Sequence, residues 1–102
     1  MKLIYVASPF RGEEEKNIKY ARKCSRYVVD EGHCPLTPHL FFPQFISEEK
    51  ERDLAIALNT ELLLKCDELW VFGEHISPGM AAEIELAKSA GIKVREVNLE
   101  RD

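Results

Sequence analysis

Apolar residues fall along this chain in two rhythms. Leu3 to Ala7 and Leu69 to Phe72 are short and continuously apolar, as suits strands buried on both faces. Cys34 to Thr37 is a further strand, but Pro35 cannot donate to a ladder, so it reads as an edge. Ile92 and Val94 alternate with Lys93 and Arg95, the pattern of an edge strand with one wet face. Between these runs the spacing becomes helical. Ile18, Ala21, Cys24 and Val28 recur across a helix from Glu13 to about Glu31, with three acids in its first turn and Gly32 closing it. Ser47, with Glu48 and Glu49, opens a second helix that carries Leu54, Leu58 and Leu62 to about Lys65. Ser77 caps a third, with Pro78 at its first position, and Gly91 ends it. The segment from His39 to Ile46 reads as a loop rich in aromatics, holding Phe41, Phe42 and Phe45.

The order β-α-β-α-β-α-β predicts an α/β fold: a small doubly wound, flavodoxin-like or Rossmann-like parallel sheet of four strands with helices on both faces. With strands two and four as edges, the simplest strand order is 2-1-3-4. Chain direction then reverses between strands one and three, and ligands in such sheets bind beyond the carboxyl ends of the strands at that switch point. Those ends are Ala7 to Gly12 and Gly73 to Ser77.

Composition narrows the partner. A chain of 102 residues with 45% hydrophobic and 31% charged residues is expected to form one domain, residues 1–102, with an ordinary core. The formal net charge of −4 argues against nucleic acid and anionic membranes as partners and leaves a small molecule. The apolar run at the start is too short for a signal peptide, ends at Ser8-Pro9-Phe10-Arg11, and no transmembrane run follows. Cys24, Cys34 and Cys66 are odd in number and lack C-x-x-C spacing, which fits a reduced, cytoplasmic chain. No pair among these cysteines and His33, His39 and His75 has ligand spacing on one element, so no metal is expected.

One residue is out of place. At about 100° per residue, Met80, Ile84, Leu86, Ala87 and Ala90 form the apolar arc of the third helix, and Glu83 falls between Ala90 and Ala87. Glu85 lands on the polar side and needs no explanation. Glu83 is either a carboxylate at the stripe's edge that snorkels to water or pairs with Lys88 or Arg11, or one held in a pocket with its ionisation set by burial and the helix dipole. The first turn of the same helix is also a small anion site.

No P-loop and no G-x-G-x-x-G is present, nor a Ser-His or Cys-His arrangement. A carboxylate can attack an anomeric carbon, because glycosyl transfer passes through an oxocarbenium-like state that an anion stabilises and then traps. Three stretches bear on this: Tyr5-Val6-Ala7-Ser8-Pro9-Phe10-Arg11-Gly12, Cys66-Asp67-Glu68-Leu69-Trp70-Val71-Phe72-Gly73 and Ser77-x-Gly79-x-x-x-Glu83-Ile84-x-x-Ala87. Together, in this order, they resemble the nucleoside 2-deoxyribosyltransferase superfamily, most closely its small phage and bacterial members. The first and third also look like elements of the 2′-deoxynucleoside 5′-phosphate N-hydrolases.

The resemblance implies that Glu83 is the nucleophile on C1′ and that Tyr5 orients it by a hydrogen bond. It implies that Arg11, Gly12, Ser77 and Gly79 hold the 5′ group or its phosphate, that the aromatic loop covers the base, and that Ser8, His39 and Asn59 are further substrate-binding positions. No cofactor is implied; the partner is a nucleoside or nucleotide, and a homodimer or higher homo-oligomer completes the pocket. On residue type alone Tyr5 could equally be a core tyrosine, Arg11 a solvated loop cation, and Phe41, Phe42 and Phe45 core or dimer contacts. The resembling enzymes carry an acidic aspartate eight residues before Asp67, where this chain has Asn59, and an amide cannot act as a general acid. Glu61 and His39 are the substitutes the sequence offers, and Asp67 itself reads as structural. The readings are therefore an N-glycosidase or deoxyribosyltransferase, a non-catalytic nucleotide-binding or sensing module with the same pocket, and a plain interaction domain.

Overall fold

Strand β1 (Leu3–Ala7) lies between β2 (Cys34–Leu36) and β3 (Glu68–Phe72), and β3 in turn pairs with β4 (Lys93–Val97). All pairings are parallel, giving the order 2-1-3-4 that the hydrophobic pattern predicts. The computed structural model describes residues 1–99. Helix α1 (Glu14–Asp30) packs on one face of the sheet, and α2 (Arg52–Leu63) with α3 (Pro78–Ser89) covers the other.

Strand alternation divides the core between the faces. Ile4, Val6, Trp70 and Phe72 point toward Cys24 and Val28 of α1. Tyr5, Ala7, Leu69 and Val71 point toward Leu63 of α2 and Met80 and Ala87 of α3. Every residue of β3 is buried, as its unbroken apolar run requires of a central parallel strand.

Two elements differ from expectation. The sequence starts the second helix at Ser47, but Ser47 caps only a separate turn. Its hydroxyl accepts from the Lys50 amide at 3.2 Å and its own amide donates to the Glu51 carboxylate at 3.2 Å, while α2 begins at Arg52. The expected stripe of Leu54, Leu58 and Leu62 is also out of phase, for α2 buries Ala55 and Leu63 and leaves Leu54 46% exposed. Leu54 to Leu58 and Leu62 to Leu64 are consecutive apolar runs, so the pattern cannot set a helical phase. Packing chooses the phase that turns Asn59, four residues from both Ala55 and Leu63, inward.

The second difference is β4, whose polar face is not simply wet. The Arg95 guanidinium lies 4.3 Å from the centroid of the Trp70 ring and donates to the Tyr27 hydroxyl at 2.9 Å and to Glu31 at 3.3 Å. It covers Trp70 beside α1, with its guanidinium on the ring and its donors shared between Tyr27 of α1 and Glu31 at the end of that helix. Shortening Trp70 to alanine should therefore cost roughly 3–5 kcal/mol, the usual range for emptying a large aromatic site. Arg95→Ala should cost only about 1 kcal/mol, the worth of a partly exposed cation–aromatic contact. Urea unfolding of the two variants measures both.

Candidate active site

Tyr5 occupies the middle of β1, and its inward-facing ring is almost wholly buried in the core beneath α3. A buried phenol needs a partner, and its hydroxyl donates to the Oε2 of Glu83. The ring of Tyr5 is thus core, and its hydroxyl is the hydrogen-bond partner of Glu83. Burial, and then the nearby Glu83 charge, hold the phenol well above its ordinary range, so it stays a donor.

Glu83 is pushed up to about 7, chiefly by burial; the Tyr5 hydrogen bond pulls the other way, and the charge of Glu48 raises it further. Neither Lys88 nor Arg11 pairs with it among the ion pairs of the described residues. A group half ionised near neutrality, on a rigid helix, can serve as a nucleophile or a base.

The start of α3 has the form of an anion site. The Ser77 hydroxyl accepts from the Met80 amide at 3.2 Å and its carbonyl accepts from Ala81 at 2.9 Å. Pro78 has no amide, so the Gly79 amide is the donor of that turn left for a ligand.

These groups open onto one cleft of about 570 Å³. Its walls are the loop after β1 (Ser8 to Arg11), His39, the turn before α2 with Glu48, the inner face of α2 with Asn59, and the start of α3 through Glu83. Among the described residues two buried side-chain polar atoms lack a hydrogen-bond partner, Ser8 Oγ and Asn59 Oδ1, and both residues line this cleft. Leaving such an atom unpaired costs on the order of 1–3 kcal/mol, so both are suited to bonds that a ligand completes. Ser8 is only 1% exposed.

Of the residues expected from sequence, Ser8, Arg11, His39, Asn59, Ser77, Gly79 and Glu83 line the cleft, and Tyr5 reaches it through Glu83. Gly12 does not line it; its φ of +95° turns the chain toward α1, with open space where a side chain would be. Arg11 is exposed, its Nη2 donating to the Glu48 carbonyl at 3.4 Å. His39 stacks on Phe10 with ring centroids 4.9 Å apart, and burial lowers it to about 4, so the imidazole is neutral at pH 7. Its 4.0 Å approach to Glu48 is then a contact between a neutral ring and a carboxyl, not an ion pair.

The aromatic segment departs from expectation. Two short 3-10 turns, Pro38–Leu40 and Phe42–Gln44, replace a loop, and Phe41, Phe42 and Phe45 pack on one another without lining the cleft. Phe10 and His39 are the rings that face it. Glu61 is remote, paired with Lys65 at 2.9 Å on the outer face of α2. Asp67 accepts from the Leu3 amide at 2.7 Å at the opposite end of the sheet, a structural role. Sequence reading missed Glu48 and Arg52 as cleft residues. Glu48 read as a dipole-serving acid in the first turn of a helix that in fact begins four residues later. Among the described residues no three of His, Cys, Asp and Glu converge on one point.

A family model matches residues 2–97, nearly the whole chain. The chain belongs to the family described as Domain of unknown function (DUF7768). No curated protein matches its sequence. The DUF7768 fold is that of 2-deoxyribosyltransferases. A 2-deoxyribosyltransferase from the psychrotolerant bacterium Bacillus psychrosaccharolyticus superposes with a TM-score of 0.71 at 25% identity, covering 94% of this chain and 72% of the other. A conserved protein from Enterococcus faecalis V583 gives 0.62 at 25% identity, with coverages of 94% and 62%. A 2-desoxiribosyltransferase from Leishmania mexicana gives 0.65 at 19%, with 96% and 65%. This DUF7768 chain therefore spans less than two thirds of the length of the last two.

The burial of Glu83 has a measurable consequence. Its folded value of about 7 lies above its ordinary 4.5, so ionising it in the folded chain costs stability that the unfolded chain does not lose. The cost is absent below pH 4.5, grows as pH rises and is complete above 7. Glu83→Gln should unfold at nearly the same temperature as wild type at pH 4, but be more stable at pH 8 by up to about 3 kcal/mol. Thermal unfolding of both proteins across this range tests the sign.

Proposed function

We propose that this chain cleaves the N-glycosidic bond of (deoxy)nucleosides or their 5′-monophosphates through covalent attack of Glu83 on C1′. The observation that carries the reading is the Tyr5–Glu83 pair, held at the floor of a cleft whose other end is a helix N-terminus. Tyr5 fixes the carboxylate rotamer and lowers the proton affinity that burial raises. As the bond to the base lengthens, positive charge gathers on the anomeric carbon and the ring oxygen, and a carboxylate in a low-dielectric setting stabilises it. The Gly79 amide and the Ser77 hydroxyl hold the 5′ hydroxyl or phosphate, with Arg11 at the rim. Water or a second base then releases the sugar. The scheme itself calls on no cofactor or metal.

Residues 1–102 act in this reading as one domain. The names of the two structural neighbours that are 2-deoxyribosyltransferases agree with it. A homodimer or higher homo-oligomer is part of it, supported by the apolar side chains that α2 leaves outside the cleft, Leu54 at 46% and Leu64 at 48% exposed. Three free thiols suit a cytoplasmic setting.

Asn59 favours a second reading, a nucleotide-binding or sensing module without turnover, because the resembling enzymes place an acid there. Incubation with deoxynucleosides and their 5′-monophosphates, with and without a second base, separates the two when free base is followed by chromatography. Release that falls at least about a thousandfold in Glu83→Gln supports the enzyme. Nucleotide binding without release would move the assignment to the module. Sedimentation at micromolar concentration tests the assembly, and a strict monomer would count against it.

A further inference from the structure

We propose that Glu48 is the acid/base partner of Glu83, donating a proton to the leaving base as Glu83 attacks and recovering one from the acceptor. The inference rests on the glycosyl-transfer reading of the cleft. It answers the question Asn59 poses: which group here can give up a proton?

The titratable and charged side chains lining the cleft are Arg11, His39, Glu48, Arg52 and Glu83. Arginine does not release its proton in a protein, and His39, held neutral by burial, keeps only the weakly acidic N–H of a neutral imidazole. Glu61, the other substitute suggested by sequence, lies outside on α2. Glu48 remains. Its side chain is 21% exposed, within the cleft wall. It comes from the turn before α2, whereas Glu83 comes from α3, so two different segments present the two carboxyls to one space. Displacement at a carbon calls for a proton donor away from the nucleophile, because the base departs on the opposite face, and carboxyls carried by separate segments can meet that need. The unpaired Ser8 hydroxyl in the same cleft independently marks the space as one a polar ligand fills.

The surroundings of Glu48 suit an acid. Burial raises its carboxyl above the ordinary range; Arg11 and Arg52 oppose this and Glu14 adds to it, while His39 beside it stays uncharged. The Glu48 charge is also felt by Glu83 and by the Tyr5 phenol. Two carboxyls in one sheltered cleft resist ionising together, and attack needs Glu83 ionised, so the reactive form is the one that carries the proton on Glu48.

The step balances as follows. A lone pair of the Glu83 carboxylate forms the C1′–O bond while the C1′–N pair leaves with the base, and the Glu48 proton goes to the base. The Glu48 carboxylate then takes a proton from water or from the N–H of a second base as that acceptor attacks C1′. Glu83 leaves as a carboxylate and Glu48 is again an acid.

A leaving group that needs no proton separates Glu48 from Glu83. The base of 7-methyl-2′-deoxyguanosine is cationic before the bond breaks and departs neutral. Glu48→Gln should lower kcat/KM on ordinary deoxynucleosides or monophosphates by roughly a hundredfold or more, yet by less than about tenfold on the methylated substrate. Glu83→Gln should abolish both. Glu48→Ala serves as a second variant, in which added formate should restore turnover and the basic limb of the pH profile. Equal losses on both kinds of substrate without formate rescue, or no loss on either, would overturn the role of Glu48 while leaving that of Glu83 standing. A wild-type protein inactive on the methylated compound and on every deoxynucleoside and monophosphate tried would instead sink the glycosyl-transfer reading.

Discussion

The hydrogen bond from Tyr5 to Glu83 joins the centre of the sheet to the start of α3, and the arrangement of the cleft follows from it. For the bond to form, β1 must turn Tyr5 toward the face that α2 and α3 cover, which its period of two does, and α3 must begin within reach of that face. Ser77 fixes the second condition. Its cap sets the first turn at Pro78 and so places Glu83 one turn further on. Moving either element by one residue would turn the tyrosine to the far side of the sheet or the glutamate to solvent.

That bond also explains why a core of ordinary make-up tolerates an acid. A carboxyl taken from water loses hydration that a single phenol only partly replaces, so Glu83 keeps its proton to near neutrality. Ser8 Oγ and Asn59 Oδ1 add unsatisfied polarity to the same space. Among the described residues the α1 face shows no such unpaired side-chain atom: Trp70 Nε1 donates to Glu68 at 3.0 Å, and Lys2 pairs with Glu68 at 2.7 Å. The two unpaired buried atoms of the described residues thus lie on the cleft side of the sheet, where a ligand could pair with them.

Most of this architecture is readable in the residues. Strand order followed from two unbroken apolar runs and two interrupted ones, and the position of Glu83 followed from helical phase alone. What stayed hidden has a common physical origin. The consecutive leucines of α2 carry no phase, so neither the inward turn of Asn59 nor the outward turn of Leu54 could be foreseen. Glu48 was invisible as a cleft residue because acids after a serine are ordinary at a helix start, and only the folded chain shows that the helix starts later. Arg95 looked like a solvent-facing residue because its sequence neighbours do not reveal that Trp70 lies beside it on β3. Gly12 is a motif position that lies outside the cleft lining, at a turn with φ of +95°.

The ends of the sheet limit how copies of this chain can meet. Strand β2 offers only three residues and spends one of them on Pro35, opposite Ile4, so no further strand can continue the ladder there. On the far side, β4 carries exposed Lys93 and Glu96, charges that disfavour pairing with an incoming strand. Both edges are closed to strand addition, which guards the chain against runaway β-polymers. The helical flanks are the surfaces left for other contacts, and α2, which walls the cleft on its inner side, carries exposed Leu54 and Leu64 outside it.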